Sequence, residues 1–421
     1  MNKRNVFYWI LYDFANSISL IIFYLYYSQW LVIDRGLSDL VFNLIFVGSS
    51  GLLLLTAPVL GLMADKRGLR YAYLKWITLG SYAFYLSASI IAMYSSVPLW
   101  LAVLCYLLAN YFYLLSIVFY TPFLRDISPP EHRGFISGLG QFGNWTGQIA
   151  GLMVCLPLLM GKAILPGPAG RVQTFLPATL LYILLSLPMI TLFKPPEITT
   201  ARKDILLNDS GKGFITNCRE LLQVPGIGAF LLSYFFFSDA ILTISINFPI
   251  FLNRVWGISD KVKSLIMLQI LVASALGSIL FGWIGDRYGL KRVMIWVLSV
   301  ICISLPVIAT QRNFIGFNVS LVLFAIFFGA IFTVTRALLT KLCPNEKLNF
   351  ATSFYVLFER FSTFIGPLVW GSIVTGLAGF GSVRYRWAFG VMTVFVVFGI
   401  IAAMRVPNEK DGKAAVLIPE K

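Results

Sequence analysis

The sequence predicts an all-α membrane protein with twelve transmembrane helices arranged as two six-helix halves. Three observations predict this fold: the composition, a succession of long apolar runs, and a pattern that recurs halfway along the chain. The 421 residues are 58% hydrophobic and only 12% charged, with a mean hydropathy of +0.82. Soluble domains average about 45–50% apolar and about 25% charged residues. The composition therefore excludes a soluble enzyme and predicts a chain that lies largely in lipid.

Twelve apolar runs are each long enough to cross a bilayer, which takes about 20 helical residues. Backbone in lipid must satisfy its own hydrogen bonds, and these runs are too long to be barrel strands, so each is predicted to be a helix. The first run lacks the short apolar core and cleavage site of a signal peptide, so we expect it to be retained. The runs lie near residues 6–33, 40–63, 71–94, 97–121, 134–160, 173–193, 226–253, 261–284, 291–310, 314–340, 350–379 and 385–405.

Lysine and arginine are distributed unevenly between the two sides that these spans define. The side that carries both termini holds 22 of them and the opposite side holds 9. This excess predicts that both termini are cytoplasmic, and the expected location is the plasma (inner) membrane. Anionic lipid headgroups at the cytoplasmic leaflet are the expected counter-charge for the net charge of +15, which therefore requires no nucleic acid.

The longest hydrophilic stretch divides the chain nearly in half. It predicts an N-terminal six-helix half (1–193), a cytoplasmic linker (194–225), a C-terminal six-helix half (226–405) and a cytoplasmic tail (406–421). Apolar residues late in the linker recur at helical spacing. This pattern fits a short helix on the membrane surface and fits a plain solvated linker equally well.

The halves share sequence at matching positions. After the second run the chain reads GLMADKRGLR from Gly61, and after the eighth it reads GWIGDRYGLKR from Gly282. Asp13 in the first run matches Asp239 in the seventh, at nearly the same offset along the chain. A third match, at a similar offset, pairs Gly151 in the fifth run with Gly366 in the eleventh. These matches predict a parallel duplication of a six-helix unit.

The repeated Gly-x-x-x-Asp-basic-x-Gly loops, within a 6+6 duplication, resemble the major facilitator superfamily over nearly the whole chain. Within it, YDFANS, SDAILTI, RALLTKLCP and FERFSTFIGP resemble the vacuolar effluxer branch, whose fungal members are autophagy-related amino-acid exporters. The loops depart from the usual pattern at Met63 and Ile284, where leucine is common, and at Leu69 and Leu290, where a basic residue is common. The resemblance implies secondary transport of a small solute by rocking of the halves around a midplane cavity. Amino acids or similar zwitterions are the leading substrate class.

The two repeated loops are predicted to form a gate. Glycine permits close backbone approach, and an aspartate at a span end can accept hydrogen bonds from an adjoining helix start. Ordinary positive-inside loops are the alternative, but they need the cations and not the repeated glycines and aspartates. The predicted gate residues are Gly61, Asp65, Lys66, Gly68 and Arg70 in the first loop, and Gly282, Asp286, Arg287, Gly289 and Lys291 in the second.

Ionisable side chains inside spans cost about 2.5–3.5 kcal/mol each, so they require pairing, a wet cavity or neutralisation. Asp13 is the first choice and Glu359 the second for a proton carrier, and Arg360 suits a substrate carboxylate or phosphate. Structural pairing of the acids and snorkelling of Arg336 to the interface stay open as alternatives. The candidates for substrate binding or coupling are Asp13, Asn16, Asn144, Gln148, Asp239, Gln269, Arg336, Glu359 and Arg360.

Span five carries a glycine at each helical turn. Gly143, Gly147 and Gly151 lie on one face and predict the close approach of another helix, either at a moving interface or in static packing.

Several classes of site and function are disfavoured. Five scattered cysteines and a single histidine suggest neither a disulfide framework nor a metal site. Neither a catalytic motif nor a nucleotide-binding loop is found, so we expect no enzyme activity, no cofactor and no ATP-driven pumping. The expected partners are a small-molecule substrate, membrane lipid and candidate coupling protons, with no nucleic acid, for a monomeric chain. The alternative function is a transporter-derived sensor or assembly scaffold without net flux, against which the matched gate loops argue.

Overall fold

The computed structural model contains helices, and no strands, in the part of the chain that it describes. The described residues are 3–94, 97–128, 133–161, 167–195, 214–343, 351, 354–355, 358–359 and 363–407. The helices are α1 (Lys3–Ile22), α2 (Asp39–Arg67), α3 (Arg70–Met93), α4 (Leu99–Tyr120), α5 (Phe123–Ile127), α6 (Arg133–Leu159), α7 (Val172–Thr191), α8 (Phe214–Leu222), α9 (Ile227–Trp256), α10 (Asp260–Tyr288), α11 (Leu290–Thr310), α12 (Phe314–Leu342), α13 (Ile365–Gly376) and α14 (Val383–Met404).

Ten of the described helical segments are long and apolar enough to cross a bilayer, and each matches a predicted run within a few residues. Helix α6 covers the fifth predicted run. Large apolar side chains point outward from the spans; Leu55 and Ile279, for example, are each 75% exposed. Such a surface is stable against lipid tails and not against water. The predicted all-α membrane fold is confirmed.

The eleventh span differs from its prediction. Residues 350–379 were expected to form one helix, but Thr363 and Phe364 form a turn and α13 begins at Ile365. Pro367 accounts for this start, because its missing N–H is tolerated in a first helical turn and breaks a helix interior. The prediction of a continuous helix was wrong here.

The first span is not a regular α-helix along its whole length. Beyond α1 the chain forms two π-helical turns, Phe23–Tyr27 and Trp30–Asp34. The buried Gln29 lies between the turns, and its side-chain amide donates through Nε2 to the carbonyl of Leu25 at 2.6 Å. Wide turns of this kind leave backbone groups that side chains must satisfy, and they are frequent at functional sites.

The described residues cluster into two compact units. Unit 1 contains the described residues of Met1–Gly211, Ile246–Asn253 and Gly257–Leu265, and unit 2 contains the described residues of the remainder. In unit 1, α1 packs on α6 and α7, and α4 packs on α2 and α3. In unit 2, α11 packs on α12 and α14, and α13 packs on α14. The end of α9 and the start of α10 belong by sequence to the C-terminal half, yet they cluster with the N-terminal helices in unit 1.

Candidate functional site

The two Gly-Asp loops share a glycine with a positive φ directly after the helix that precedes each loop. Gly68 ends α2 with φ +64° and Gly289 ends α10 with φ +97°, a region that favours glycine over every other residue. A Cβ at Gly61 would meet no described atom within 4 Å, and one at Gly282 would only touch Thr333 at 3.5 Å. The predicted close backbone approach is therefore not seen at these glycines, and it is the positive φ that requires glycine in each loop.

The charged members of the gate are only partly described. The side chains of Asp65, Lys66 and Asp286 lie outside the described residues, whereas Arg70 and Lys291 are half-buried. The Arg287 guanidinium lies over the rings of Trp283 and Tyr288, 5.7 and 5.8 Å from their centroids. The gate assignment stays a prediction.

Asp13 belongs to a polar chain between α1 and α6. Asn144 donates its amide N–H to Asp13 Oδ1 at 3.3 Å, and Gln148 donates to Asn144 Oδ1 at 2.9 Å. Three of the four predicted candidates in unit 1 are thus linked by hydrogen bonds, and the half-buried Asp13 carboxylate accepts one of them from a neutral donor.

The glycine stripe of α6 makes this contact possible. A Cβ at Gly147 would lie 2.3 Å from the carbonyl oxygen of Phe14, and Gly143 and Gly151 lie against Ile10 and Ile18 of α1 in the same way. The predicted close approach of another helix is confirmed, and that helix is α1. The α6 backbone could not lie this near α1 with larger side chains.

Replacing Gly147 with alanine is expected to push α1 and α6 apart, because the new methyl meets backbone that cannot rotate away. Overpacking of this kind costs typically about 1–3 kcal/mol, so the melting temperature in detergent should fall by several degrees. Gly390→Ala in α14 is the matched control, since a Cβ there meets no described atom within 4 Å. Equal melting temperatures for the two variants would contradict the close α1–α6 packing.

Asp239 occupies the corresponding position in unit 2. Its fully buried carboxylate accepts the backbone N–H of Gly366 at 2.9 Å on Oδ1 and 2.8 Å on Oδ2. Gly366 is the second residue of α13, so the carboxylate lies at the positive end of that helix. A Cβ at Gly366 would lie 2.1 Å from Thr243 Oγ1 and 2.6 Å from Asp239 Oδ1. In each half, a glycine of the fifth span therefore contacts the first span next to an aspartate of that first span.

Glu359 lies in a separate aromatic cluster of unit 2. The buried Tyr234 donates its hydroxyl to Glu359 Oε2 at 2.8 Å, and its ring lies 4.1 Å from the ring of Tyr355, centroid to centroid. The Tyr355 hydroxyl shares a hydrogen bond with Thr335 at 3.1 Å. Arg336 is exposed and Gln269 is half-buried, while Arg360 lies outside the described residues.

Buried amides on α1 and α4 retain hydrogen-bonding capacity. Neither polar atom of Asn16 makes a hydrogen bond of good geometry with the described residues, and the same holds for Asn110 Oδ1 and the Tyr106 hydroxyl. At 1.5 Å per residue, Asn16 lies roughly 20 Å along α1 and Asn110 roughly 15 Å from the end of α4, so both are near mid-depth in the bilayer. Asn110 and Tyr106 were missed from the sequence; an asparagine inside the apolar run LLANYFYLL was the available signal.

The sequence also missed an ion-paired network in unit 1, at the ends of the spans opposite the termini. Arg171, which precedes α7, binds Asp260 bidentately, with Nε 2.7 Å from Oδ2 and a terminal nitrogen 3.0 Å from Oδ1. Its other terminal nitrogen lies 2.6 Å from Asp34 Oδ1. Burial lowers the pKa of Arg171, but the two carboxylates outweigh burial and raise the pKa above its ordinary value. Arg171 therefore stays charged at any physiological pH.

Lys263 extends this network into the protein. Its side chain is fully buried, and its Nζ donates to Asp260 Oδ1 at 2.7 Å and to Gln29 Oε1 between the π-helical turns. One residue further along α10, the Ser264 hydroxyl lies 2.5 Å from the hydroxyl of Tyr26. Lys263 and Ser264 at the start of α10 are thus hydrogen-bonded to Gln29 and Tyr26, in the part of the first span that follows α1.

A reciprocal amide pair lies in the same unit. Asn43 of α2 donates to Asn247 of α9 at 3.0 Å and accepts from it at 2.8 Å, and both side chains are fully buried. We call these ion-paired and hydrogen-bonded side chains the non-terminal network, which consists of Gln29, Asp34, Asn43, Arg171, Asn247, Asp260 and Lys263. Its members come from both six-helix halves of the sequence.

Comparisons with known proteins agree with this architecture. Residues 227–419 match the family model of the Major Facilitator Superfamily. The chain is 25% identical to an uncharacterised MFS-type transporter, YxiO, of Bacillus subtilis (strain 168), over 95% of this chain and 94% of that protein.

Solved structures show the same fold at low identity. A bacterial homologue of the human lysosomal transporter Spinster, inward-facing and unoccupied, superposes with a TM-score of 0.74 at 14% identity, over 96% of this chain and 97% of that one. A D-xylose-proton symporter superposes with a TM-score of 0.73 at 16% identity, over 97% and 98%. These relatives are transporters and not enzymes. The vacuolar effluxer branch is not confirmed by them.

Proposed function

We propose that this chain, whose fold is that of the major facilitator superfamily of transporters, is a secondary active transporter that moves a small polar solute by alternating access. The observation that carries the proposal is the non-terminal network. In it, the end of α9 and the start of α10, which belong to the C-terminal half, are bound by charge and hydrogen bonds to helices of the N-terminal half.

A contact of this composition suits a gate. Arg171, Asp34, Asp260 and Lys263 balance in charge, and each of them can be rehydrated when the contact separates, whereas an apolar seam of interlocked side chains would be slow to part and reform. We propose that the network closes the non-terminal face, while the Gly68 and Gly289 loops act at the face of the termini. In this proposal, the two faces open in turn.

Asp239 is the carboxylate that we propose as the coupling site, ahead of Asp13 and Glu359. A proton carrier should have a charged form that is weakly compensated by its surroundings. Asp239 is fully buried, whereas Asp13 is half-buried, and among the described residues one N–H, that of Gly366, compensates the Asp239 charge and no cation contacts it. Asp13 and Glu359 instead belong to hydrogen-bonded chains. Asp239 also joins α9 to α13, so a change in its charge acts directly on helix packing.

The substrate class that we propose is an amino acid or a similar zwitterion. Buried amides with spare hydrogen-bonding capacity, Asn16 and Asn110, suit a small polar solute at mid-depth. The resemblance of the sequence to the amino-acid exporter branch supports the zwitterion, and Arg360 remains the proposed partner of its carboxylate.

A ligand screen followed by a flux measurement tests the proposal. Purified protein is screened by thermal shift against amino acids, sugars and nucleosides, and each stabilising ligand is assayed for uptake into proteoliposomes with and without a pH gradient. We expect a stabilising zwitterion that accumulates in response to the gradient. Stabilisation by a ligand that is never taken up would instead favour the sensor or scaffold.

The loops at the face of the termini give a separate prediction. If the Asp65 carboxylate helps to close that face, Asp65→Asn should open it, raise cysteine labelling there and slow transport several-fold without lowering expression. The equivalent Asp286→Asn should act more weakly, because the first loop copy is proposed as the stronger gate. Unchanged labelling in the Asp65 variant would remove the gate assignment.

A further inference from the structure

A groove opens on unit 2 where α10 and α11 meet, beside the Gly289 loop. Its volume is about 280 Å³, and its lining residues are Ile284, Tyr288, Arg292, Val293 and Trp296. The described lining is apolar except for Arg292, which lies in the first turn of α11, and the hydroxyl of Tyr288.

Exposed aromatic rings and cations surround this groove. The side chains of Trp283, Tyr288 and Trp296 are each more than half exposed, and Arg287 lies over the first two rings. Behind the groove, Trp296 packs against Phe281 with ring centroids 5.5 Å apart. Tryptophan, tyrosine and arginine at a span end are typical of the depth at which lipid headgroups lie.

The duplication supplies an internal comparison. A groove of about 400 Å³ lies between α2, α3 and α4 in unit 1, next to the first copy of the loop. Leu69 lines it and is the counterpart of Leu290 in the repeated loop sequence. Among the residues that the structure describes, its lining contains no lysine or arginine: Leu60, Leu69, Ala72, Tyr73, Trp76, Ile77, Tyr111, Phe112 and Leu115. The described linings of the two grooves therefore differ in charge.

We propose that the α10–α11 groove binds one anionic phospholipid. Its phosphate is held by Arg292 and Arg287, and an acyl chain lies along Ile284, Val293 and Trp296. Acyl chains are already solvated by other lipids, so the groove gains little from apolar contact and its selectivity comes from the headgroup charge. Each arginine near the surface contributes roughly fivefold in affinity for an anionic lipid. The unit 1 groove, whose described lining carries no cation, is expected to lack this selectivity.

Lipid binding in this groove does not depend on the proposed transport function, and it is tested without a transport assay. Full-length protein is mixed with phosphatidylglycerol or phosphatidylcholine at equal concentration, and lipid retained after delipidation is counted by native mass spectrometry. Wild-type protein should retain one phosphatidylglycerol and little phosphatidylcholine. Arg292→Gln should weaken phosphatidylglycerol retention about fivefold, and adding Arg287→Gln should weaken it by roughly 25-fold in total.

Three controls keep this test decisive. Arg292→Lys should retain most of the binding, which separates lost charge from misfolding. Lys75→Gln removes a cation from α3, where Lys75 lies over the Tyr71 ring and does not line the unit 1 groove, and it should change nothing. Inorganic phosphate should not displace the bound lipid. Equal retention of both lipids by wild-type protein, or equal phosphatidylglycerol retention by wild-type and Arg292→Gln protein, would overturn the proposal.

Discussion

Replacing Arg171 with glutamine should open the non-terminal face of the protein. Removing one partner of a buried ion pair costs about 3–5 kcal/mol when the remaining charge is left without compensation. Arg171 and Asp260 are 12% and 18% exposed, the more exposed Asp34 contributes little, and Asp260 keeps Lys263 as a partner at 2.7 Å, so about 2–3 kcal/mol is the expected loss here. This shifts the balance between closed and open faces by roughly 30- to 150-fold.

A cysteine placed behind the network reports this shift. Ser264→Cys is nearly isosteric at a position that is only 3% exposed, and Cys218 and Cys302, the native cysteines that are not buried, are replaced with serine. Labelling at position 264 by a membrane-impermeant maleimide should accelerate at least tenfold in the Arg171→Gln background. Arg312→Gln, an exposed arginine after α11, is the matched control and should leave the rate unchanged. Equal rates in both backgrounds would show that Arg171 does not hold this face closed.

Asp239→Asn should uncouple transport from the proton gradient. The asparagine oxygen can still accept the Gly366 N–H, so the start of α13 should keep its cap, but the side chain can no longer exchange a proton. We therefore expect uptake driven by a pH gradient to fall to background, while exchange of labelled for unlabelled substrate stays within a few-fold of wild type.

Asp13→Asn is the matched comparison, because Asp13 occupies the same position in the other half. It should keep gradient-driven uptake if Asp239 is the carrier. Uphill accumulation by Asp239→Asn protein would exclude Asp239, and its loss in Asp13→Asn protein alone would restore the order of candidates that the sequence suggested.

Hydropathy and duplication predicted most of the fold because both depend on local composition. Span ends follow from where charge interrupts an apolar run, and Gly68 and Gly289 follow from a repeat that can be read directly. The glycine stripe of α6 is likewise visible at its helical spacing. The helix against which this stripe packs cannot be predicted from the spacing, because the tertiary structure decides which helix lies beside it.

The remaining features depend on residues that are distant in the chain. Arg171 and Asp260 are 89 positions apart, and Lys263 lies 234 positions from Gln29, so no local pattern pairs them. The π-helical turns of the first span flank the same Gln29. The break before α13 could have been predicted from Gly366 and Pro367, but the role of Asp239 in capping it needed the packing of α9 against α13.

Labelling from both faces tests alternating access most directly. One cysteine at position 264 reports the non-terminal face, and one at the fully buried Ala64, beside the first Gly-Asp loop, reports the face of the termini. When Arg171→Gln opens the first face, we expect faster labelling at 264 together with slower labelling at 64, and the same reciprocal change when a transported ligand shifts the wild-type protein. Labelling that rises at both positions, or that changes at 264 and stays constant at 64, would contradict alternating access.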